Sequence, residues 1–294
     1  MRIALSGASG LIGGRLAAAL RARGDEVIEL SRSGKNGAVR WDPLSEPAPA
    51  AALAGDAVIH LAGESIAQRW TTAAREAIRA SRTVGTANLL AGIEAAQPRP
   101  RVLLSANAVG YYGNRGDEPL TESSAAGEDW LASVCVDWEQ AAMAATPLGL
   151  RVCVLRTGVV LDRTGGALAM MLPPFRLGVG GPVAGGRQYV SWIHGDDLVG
   201  LYVAALEDER FAGPLNAVAP APVRNAEFAK ALGRALHRPA VAPVPAVALH
   251  LLYGAMAAIV TDSQNVVAER ALALGFNVAY PAVELALRDA LSRG

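Results

Sequence analysis

MRIALSGASGLIGGRLAAALRARG, residues 1–24, decides the fold. Arg2 to Ser6 is a short apolar run suited to a buried strand. Gly7, Gly10 and Gly13 follow at G-x-x-G-x-x-G spacing, and Leu16, Leu20 and a block of alanines read as a helix ending at Gly24. Strand, glycine turn and helix N-terminus together make an anion site. The absent side chains let backbone N–H groups approach a pyrophosphate, and the helix dipole favours its charge. A glycine triplet alone is a weak signal; the strand before it and the helix after it give it meaning. The bland alternative is a tight turn with no ligand.

Outward from that unit, Val27 to Leu30 is a second strand, followed by Ser31-Arg32-Ser33. The acidic residue that would hold a free ribose 2′-hydroxyl at this strand end is absent. A guanidinium and two hydroxyls suit a 2′-phosphate, which favours NADP over NAD. Glu29, inside the strand, pulls the other way. Residues 43–52 form a Pro- and Ala-rich loop, and Ala57 to Leu61 is a third strand ending in Ala62-Gly63-Glu64. His60 lies in an apolar run, where a histidine is expected to be packed and hydrogen-bonded. Glu64 is placed to face either the crevice or solvent.

Trp70 to Ala96 has helical periodicity and is closed by Pro98 and Pro100. Arg75, Arg79 and Arg82 recur on nearby faces of it, as a solvated stripe or, for Arg82, as a contact to cofactor phosphates. Arg101 to Leu104 is a fourth strand, leading into Ser105, Asn107, Gly110, Tyr111 and Tyr112. Trp130 to Ala145 is a helix and Leu150 to Arg156 a fifth strand. Strand–helix alternation over residues 1–160 implies a right-handed, doubly wound parallel sheet, an α/β Rossmann-type fold. The Gly-, Pro- and Met-rich stretch 165–186 is expected to be a lobe or lid on the substrate side, not a core element. Tyr189 to His194 is a strand pattern, with Gly195-Asp196-Asp197 expected to cap the next helix. Leu215 to Val218 is a short strand, Asn225 to Leu236 a helix, and 243–259 an apolar helical stretch. The expected division is a cofactor domain at 1–164 plus 187–215 and a small, mostly helical C-terminal substrate lobe at 165–186 plus 216–294.

Composition bounds the function. The 27 basic and 27 acidic residues cancel, and no long basic run suggests a nucleic-acid or membrane partner. Two acids without a third ligand make no metal site, so no metal is expected. Cys135 and Cys153 sit in apolar surroundings outside any C-x-x-C pair, as buried thiols in a reducing compartment. No signal-peptide layout opens the chain. A cytoplasmic monomer or homodimer acting on a small molecule is the expectation.

The G-A-S-G-L-I-G stretch resembles the fingerprint of extended short-chain dehydrogenases, the nucleotide-sugar epimerase superfamily. More closely, the chain resembles the atypical YfcH-like epimerase family proteins with a C-terminal DUF1731-type lobe. The shared motifs run in order along nearly the whole chain: S-R at 31–32, H-L-A-G-E at 60–64, R-W at 69–70, S-R at 81–82, A-V-G-Y-Y-G at 108–113, W-E at 138–139, R-T-G-V-V-L at 156–161, P-F-R-L-G at 174–178, W-I-H-x-D-D-L at 192–198 and L-N-A-V-A-P at 215–220. The resemblance implies NADP(H) contacts at Gly7, Ser9, Gly10, Leu11, Ile12, Gly13, Ser31, Arg32, Leu61, Ala62, Gly63, Arg82 and Val160.

One departure stands out. Typical members use a Ser–Tyr–Lys set, in which lysine holds the nicotinamide ribose and lowers the tyrosine pKa. Counting back from Glu139 puts Cys135 at the lysine position and Leu131 at the tyrosine position, and the usual serine falls at Asn107, with Ser105 two residues earlier. Tyr112 and Tyr111 are the remaining hydroxyls with suitable placement, and Tyr112, with Asn107 and Ser105 as hydrogen-bonding partners, is the candidate acid/base. Two functions stay open. One is an NADP(H)-dependent oxidoreductase or epimerase acting on a small or nucleotide-sugar-like substrate. The other is a non-catalytic NADP(H)-binding redox sensor or scaffold.

Overall fold

Seven strands form one parallel sheet in the computed structural model, which describes residues 1–292. They are β1 (Arg2–Ser6), β2 (Glu26–Ser31), β3 (Val39–Arg40), β4 (Ala57–His60), β5 (Val102–Ala108), β6 (Arg151–Thr157) and β7 (Gly213–Ala217). Their spatial order is β7-β6-β5-β4-β1-β2-β3. The chain runs outward from β1 through β2 to β3, then crosses back to β4, so the winding reverses between β1 and β4. Ligands of open parallel sheets gather outside the carboxyl ends of the strands at such a point.

Alternate residues of each central strand enter different cores. Ile3 and Leu5 of β1, Ile59 of β4, Leu104 of β5 and Leu155 of β6 join one buried cluster. Ala4, Val58, Leu103 and Val154 join another. A sheet buried on both faces reads as continuous apolar runs, which is why these strands show no polar alternation. Helices α1 (Leu11–Ala22) and α5 (Gly195–Glu207) cover the first face; α2 (Thr72–Ala95) and α3 (Trp130–Met143) cover the second.

The stretch expected as a lid contains a core element. Gly166–Arg176 is helix α4, and its Leu168, Leu172 and Phe175 pack in a third cluster with α6 (Asn225–Leu236) and α8 (Val283–Ser292). The spacing of these three residues sets one apolar face inward, which its Pro and Gly content hides. The expected strand 189–194 is two short ones. Tyr189–Val190 pairs with Val223–Arg224, and Trp192–His194 pairs with Val159–Leu161. Helix 70–96 begins only at Thr72, capped by Thr71, whose Oγ1 accepts the Ala74 N–H. The apolar run at 243–259 gives a short helix α7 (Ala246–Tyr253) and further single turns. Capping of α5 also differs from expectation. His194 is its N-cap, its Nδ1 accepting the Asp196 N–H, while Asp197 reaches out to accept the N–H groups of Ala279 and Tyr280 at 2.8 and 3.0 Å. Asp197 thereby anchors the chain leading into α8.

One buried charge ties sheet, helix and lobe together. Arg156 on β6 is 2% exposed and makes a two-pronged pair with Glu139 of α3, Nε to Oε2 at 2.9 Å and Nη2 to Oε1 at 2.7 Å. Its Nη1 donates to the Tyr112 hydroxyl at 2.9 Å, and that hydroxyl donates to Asn216 Oδ1 on β7 at 2.7 Å. Asn216 Nδ2 then donates to the Val267 carbonyl of the C-terminal region. Removing one partner of such a pair leaves an uncompensated buried ion. Glu139→Gln is therefore expected to lower stability by about 3–5 kcal/mol, seen as a fall in the urea midpoint. A midpoint matching the wild type would show that Arg156 finds its counter-charge elsewhere.

His60 carries a second buried chain. Thr86 gives its one hydroxyl proton to the Arg82 carbonyl, so the 3.2 Å contact from His60 Nε2 must be a donation from the ring. His60 Nδ1 then accepts from Ser6 Oγ at 2.7 Å. The packed role expected of His60 is what the structure shows, and burial lowers its pKa from 6.5 to about 4. The unfolded chain binds this proton more tightly than the folded one. The contribution of neutral His60 is thus complete above pH 6.5 and lost progressively as pH falls toward 4, by about 3 kcal/mol in all. Against His60→Gln, the wild type should lose relative stability across that window. A difference that stays constant with pH would contradict a neutral buried imidazole.

Candidate cofactor and substrate site

The glycine turn is as tight as its sequence implies. Gly7 has φ +79°, and a Cβ there would lie 2.8 Å from Ala62 N at the end of β4. A Cβ on Gly13 would lie 2.1 Å from the Gly7 carbonyl oxygen, so the first turn of α1 presses directly on the turn before it. Gly10 is the N-cap of α1, with no side-chain cap and no acidic residue in the first turn. Ser9 and Gly10 are exposed, and Leu11 and Ile12 are half-buried. An uncapped helix start with exposed backbone beside a strand end is an anion cradle.

At the neighbouring strand end Arg32 is exposed, while Ser31 Oγ accepts the Gly34 N–H at 3.1 Å and shapes the turn. The sheet register sets Ser31 opposite Arg40 of β3, which supplies a second exposed guanidinium. Sequence reading misses Arg40 because a two-residue strand leaves no periodic signal. Glu29, the residue that argued against a phosphate here, is paired with Arg21 of α1 at 2.6 Å.

Leu61, Ala62 and Gly63 line the β4 end. Ala62 N donates to Ser6 Oγ at 3.4 Å, so the His60 chain fixes this loop. Ile12, Leu61 and Val160 are half-buried against the same core. The three arginines of α2 have separate fates. Arg79 pairs with Asp137 and donates to Ser133. Arg82 donates to the carbonyls of Glu64 and Ile78, stacks on Trp138 with 4.9 Å to the ring centroid, and lies over Gly63. Arg75 forms no ion pair among the described residues, and its Nε is buried without a partner.

The β5 end holds the candidate proton-transfer groups, and all are enclosed. Ser105 is fully buried and donates to the Ala106 carbonyl. Asn107 donates to the Cys135 carbonyl at 3.0 Å. Tyr112 is 0% exposed, with its hydroxyl committed to Arg156 and Asn216. Burial raises its pKa above the usual phenol value, outweighing the pull of Arg156. This enclosure weighs against the acid/base role expected of Tyr112: its proton has nowhere to go but Asn216. Cys135, at the position where the resemblance expects lysine, is a free buried thiol pushed up to about 12 by burial, and Cys153 is likewise buried.

A cavity of about 170 Å³ opens beside these residues, between Gly110, Leu131, Trp70, Trp130 and the C-terminal residues Ile259 and Asp262. Leu131, at the family's tyrosine position, is part of its wall. Away from it, His194, Asp196 and Asp289 bring ligand atoms within 4.8 Å of one another. Arg15 already engages the Asp196 carboxylate, and that guanidinium occupies the role a cation would take. Among the described residues no helix is long and apolar enough to cross a membrane.

Comparison with known proteins agrees with this architecture. Residues 3–217 match the NAD dependent epimerase/dehydratase family, and residues 244–290 match a domain of unknown function, DUF1731. The chain is 41% identical to the chloroplastic epimerase family protein SDR39U1 homolog of Arabidopsis thaliana, over 98% of this chain and 86% of that protein. It is 34% identical to the Bacillus subtilis epimerase family protein YfhF, over 99% and 98%. The crystal structure of human epimerase family protein SDR39U1 with NADPH superposes with a TM-score of 0.91 at 34% identity, covering all of both chains. A UDP-galactose 4-epimerase at 20% identity and TM-score 0.75 shares the fold. With a glycine cradle at the switch point of a parallel sheet and relatives matched along its whole length, the chain belongs to the NAD dependent epimerase/dehydratase family, in the branch that carries a DUF1731 domain.

Proposed function

We propose that this chain binds NADPH across the carboxyl ends of β1, β2 and β4 and uses it for hydride exchange with a small carbonyl compound or alcohol. The observation that carries the reading is the pairing of an uncapped α1 N-terminus with two exposed guanidinia, Arg32 and Arg40, at the adjoining strand end. The first suits the pyrophosphate and the second the 2′-phosphate, which NADH lacks. The NADPH in the human relative's crystal structure supports the same reading. Here Gly7, Gly10 and Gly13 give backbone access, Ile12, Leu61 and Val160 supply apolar walls, and Arg82 puts a fixed cation near the position of the missing lysine. NADPH, when bound, supplies the hydride; the chain's residues orient it and shield it from water.

A second reading has its own support. Tyr112, Asn107 and Ser105 are sealed into structural hydrogen bonds and Leu131 carries no proton, so an NADPH-binding sensor or scaffold would present the same β5 end. NADPH oxidation by a panel of carbonyl compounds separates the two: turnover favours the oxidoreductase, and tight NADPH binding without turnover favours the sensor.

Arg32→Ala is expected to weaken NADPH binding by about 10- to 100-fold while leaving NADH binding nearly unchanged, with Arg40→Ala acting in the same direction. Equal losses for both cofactors would remove these arginines from 2′-phosphate recognition. Tyr112→Phe is expected to lower stability by about 1–3 kcal/mol through the unpaired Asn216 and Arg156 groups and to leave NADPH affinity intact. Lost turnover in a variant with wild-type stability would restore Tyr112 as the acid/base.

A further inference from the structure

Of the three arginines on α2, only Arg75 has no carboxylate or carbonyl partner among the described residues, and it lines the 170 Å³ cavity. Its guanidinium lies 5.0 Å from the centroid of the Trp130 ring. Trp70 stands 4.7 Å from Trp130 at 56°, pinned by its own Nε1–H donation to the Ile66 carbonyl at 3.0 Å. Two indoles and an arginine with a buried, unpaired Nε are a costly arrangement for a protein to leave unused. A buried donor without an acceptor is destabilising, and more so when charged. A planar ligand with an oxyanion removes that cost, since the guanidinium fork matches a carboxylate.

Size narrows the choice. At 170 Å³ the cavity is below the roughly 300–1,000 Å³ of sites for drug-sized ligands. A single ring with short substituents fills it; a whole nucleotide-sugar does not. The cavity lining also includes Asp129 and Asp262. Asp129 Oδ1 accepts the Ala132 N–H as the N-cap of α3. Burial and the Asp129 carboxylate raise the Asp262 pKa, against a smaller opposing pull from His250. That direction disfavours charge on Asp262 and so lessens its repulsion of a ligand carboxylate.

We propose that this cavity is the substrate pocket and takes a small, flat carbonyl compound or alcohol bearing a carboxylate, with its ring against Trp70 and Trp130 and its carboxylate on Arg75. This rests on the NADPH-dependent reading above, because Gly110 and Leu131 place the cavity at the β5 end where that chemistry would occur.

Calorimetric titration of the NADP⁺-loaded full chain with 4-formylbenzoate, 4-formylbenzamide and UDP-glucose tests it. The carboxylate is expected to bind at least about tenfold more tightly than its neutral amide, with UDP-glucose the weakest. In Arg75→Met that preference should vanish while NADP⁺ affinity is retained. Ile259→Trp, which fills the cavity from the lobe side, should block both aromatic probes. A preference that survives Arg75→Met, aromatic binding that survives Ile259→Trp, tightest binding of UDP-glucose, or no binding of either aromatic probe would each overturn the assignment. Loading with NADP⁺ is measured first. Failure to load overturns the cofactor reading, and the same titrations on the unloaded chain then decide the pocket independently.

Discussion

A guanidinium charge that is almost wholly withdrawn from water must be neutralised where it lies, and around Arg156 that requirement organises the middle of the molecule. Glu139 supplies the counter-charge from α3, Tyr112 receives the remaining donor, and Tyr111 stacks its ring 3.5 Å from the guanidinium carbon. The single turn Val109–Tyr112 after β5 is therefore held from two sides. Gly110, on that turn, sets one wall of the cavity, and Glu139 fixes the helix whose first turn sets another. Through Asn216 and Val267 the same network reaches the C-terminal region. A buried ion pair adds little net stability over a well-packed apolar pair, but it permits few arrangements. In this chain it links the β5 end to α3 and, through Asn216, to the C-terminal region.

How much of this the sequence discloses depends on whether a feature is local. The β1–turn–α1 unit is legible because strand, glycines and helix are contiguous, and the central strands are legible because burial on both faces makes them uninterrupted apolar runs. Cys135 and Cys153 read correctly as buried thiols, and His60 as a packed histidine, for the same reason. Helix α4 hides behind its two prolines. The division of YVSWIH into two strands with different partners is a matter of tertiary pairing, to which a six-residue pattern is blind.

The candidate site divides along the same line. The residues proposed for the cofactor's phosphates follow one another closely in the chain, from Gly7 to Arg32, where a motif can be read. Arg40 escapes because only sheet register brings it to Ser31. The proposed substrate pocket is assembled from 70–75, 110, 129–131 and 255–264, four segments that no local pattern links. Tyr112 shows the converse hazard. A tyrosine just past a central strand looks available from its position, yet the arginine that encloses it lies 44 residues away.

The edge position of β3 has a consequence for how such a protein can diverge. Arg32, just past the end of β2, and Arg40 on β3 lie outside all three cores. Exchanging them disturbs little packing, so on the proposed reading the preference between two nicotinamide cofactors can drift under selection almost independently of foldability. The proposed substrate pocket lacks that freedom. Its walls are shared with α2, α3 and the lobe, and a change there must be matched on the facing elements. Lineages built on this scaffold should therefore switch cofactor by single substitutions, but switch substrate only by concerted ones.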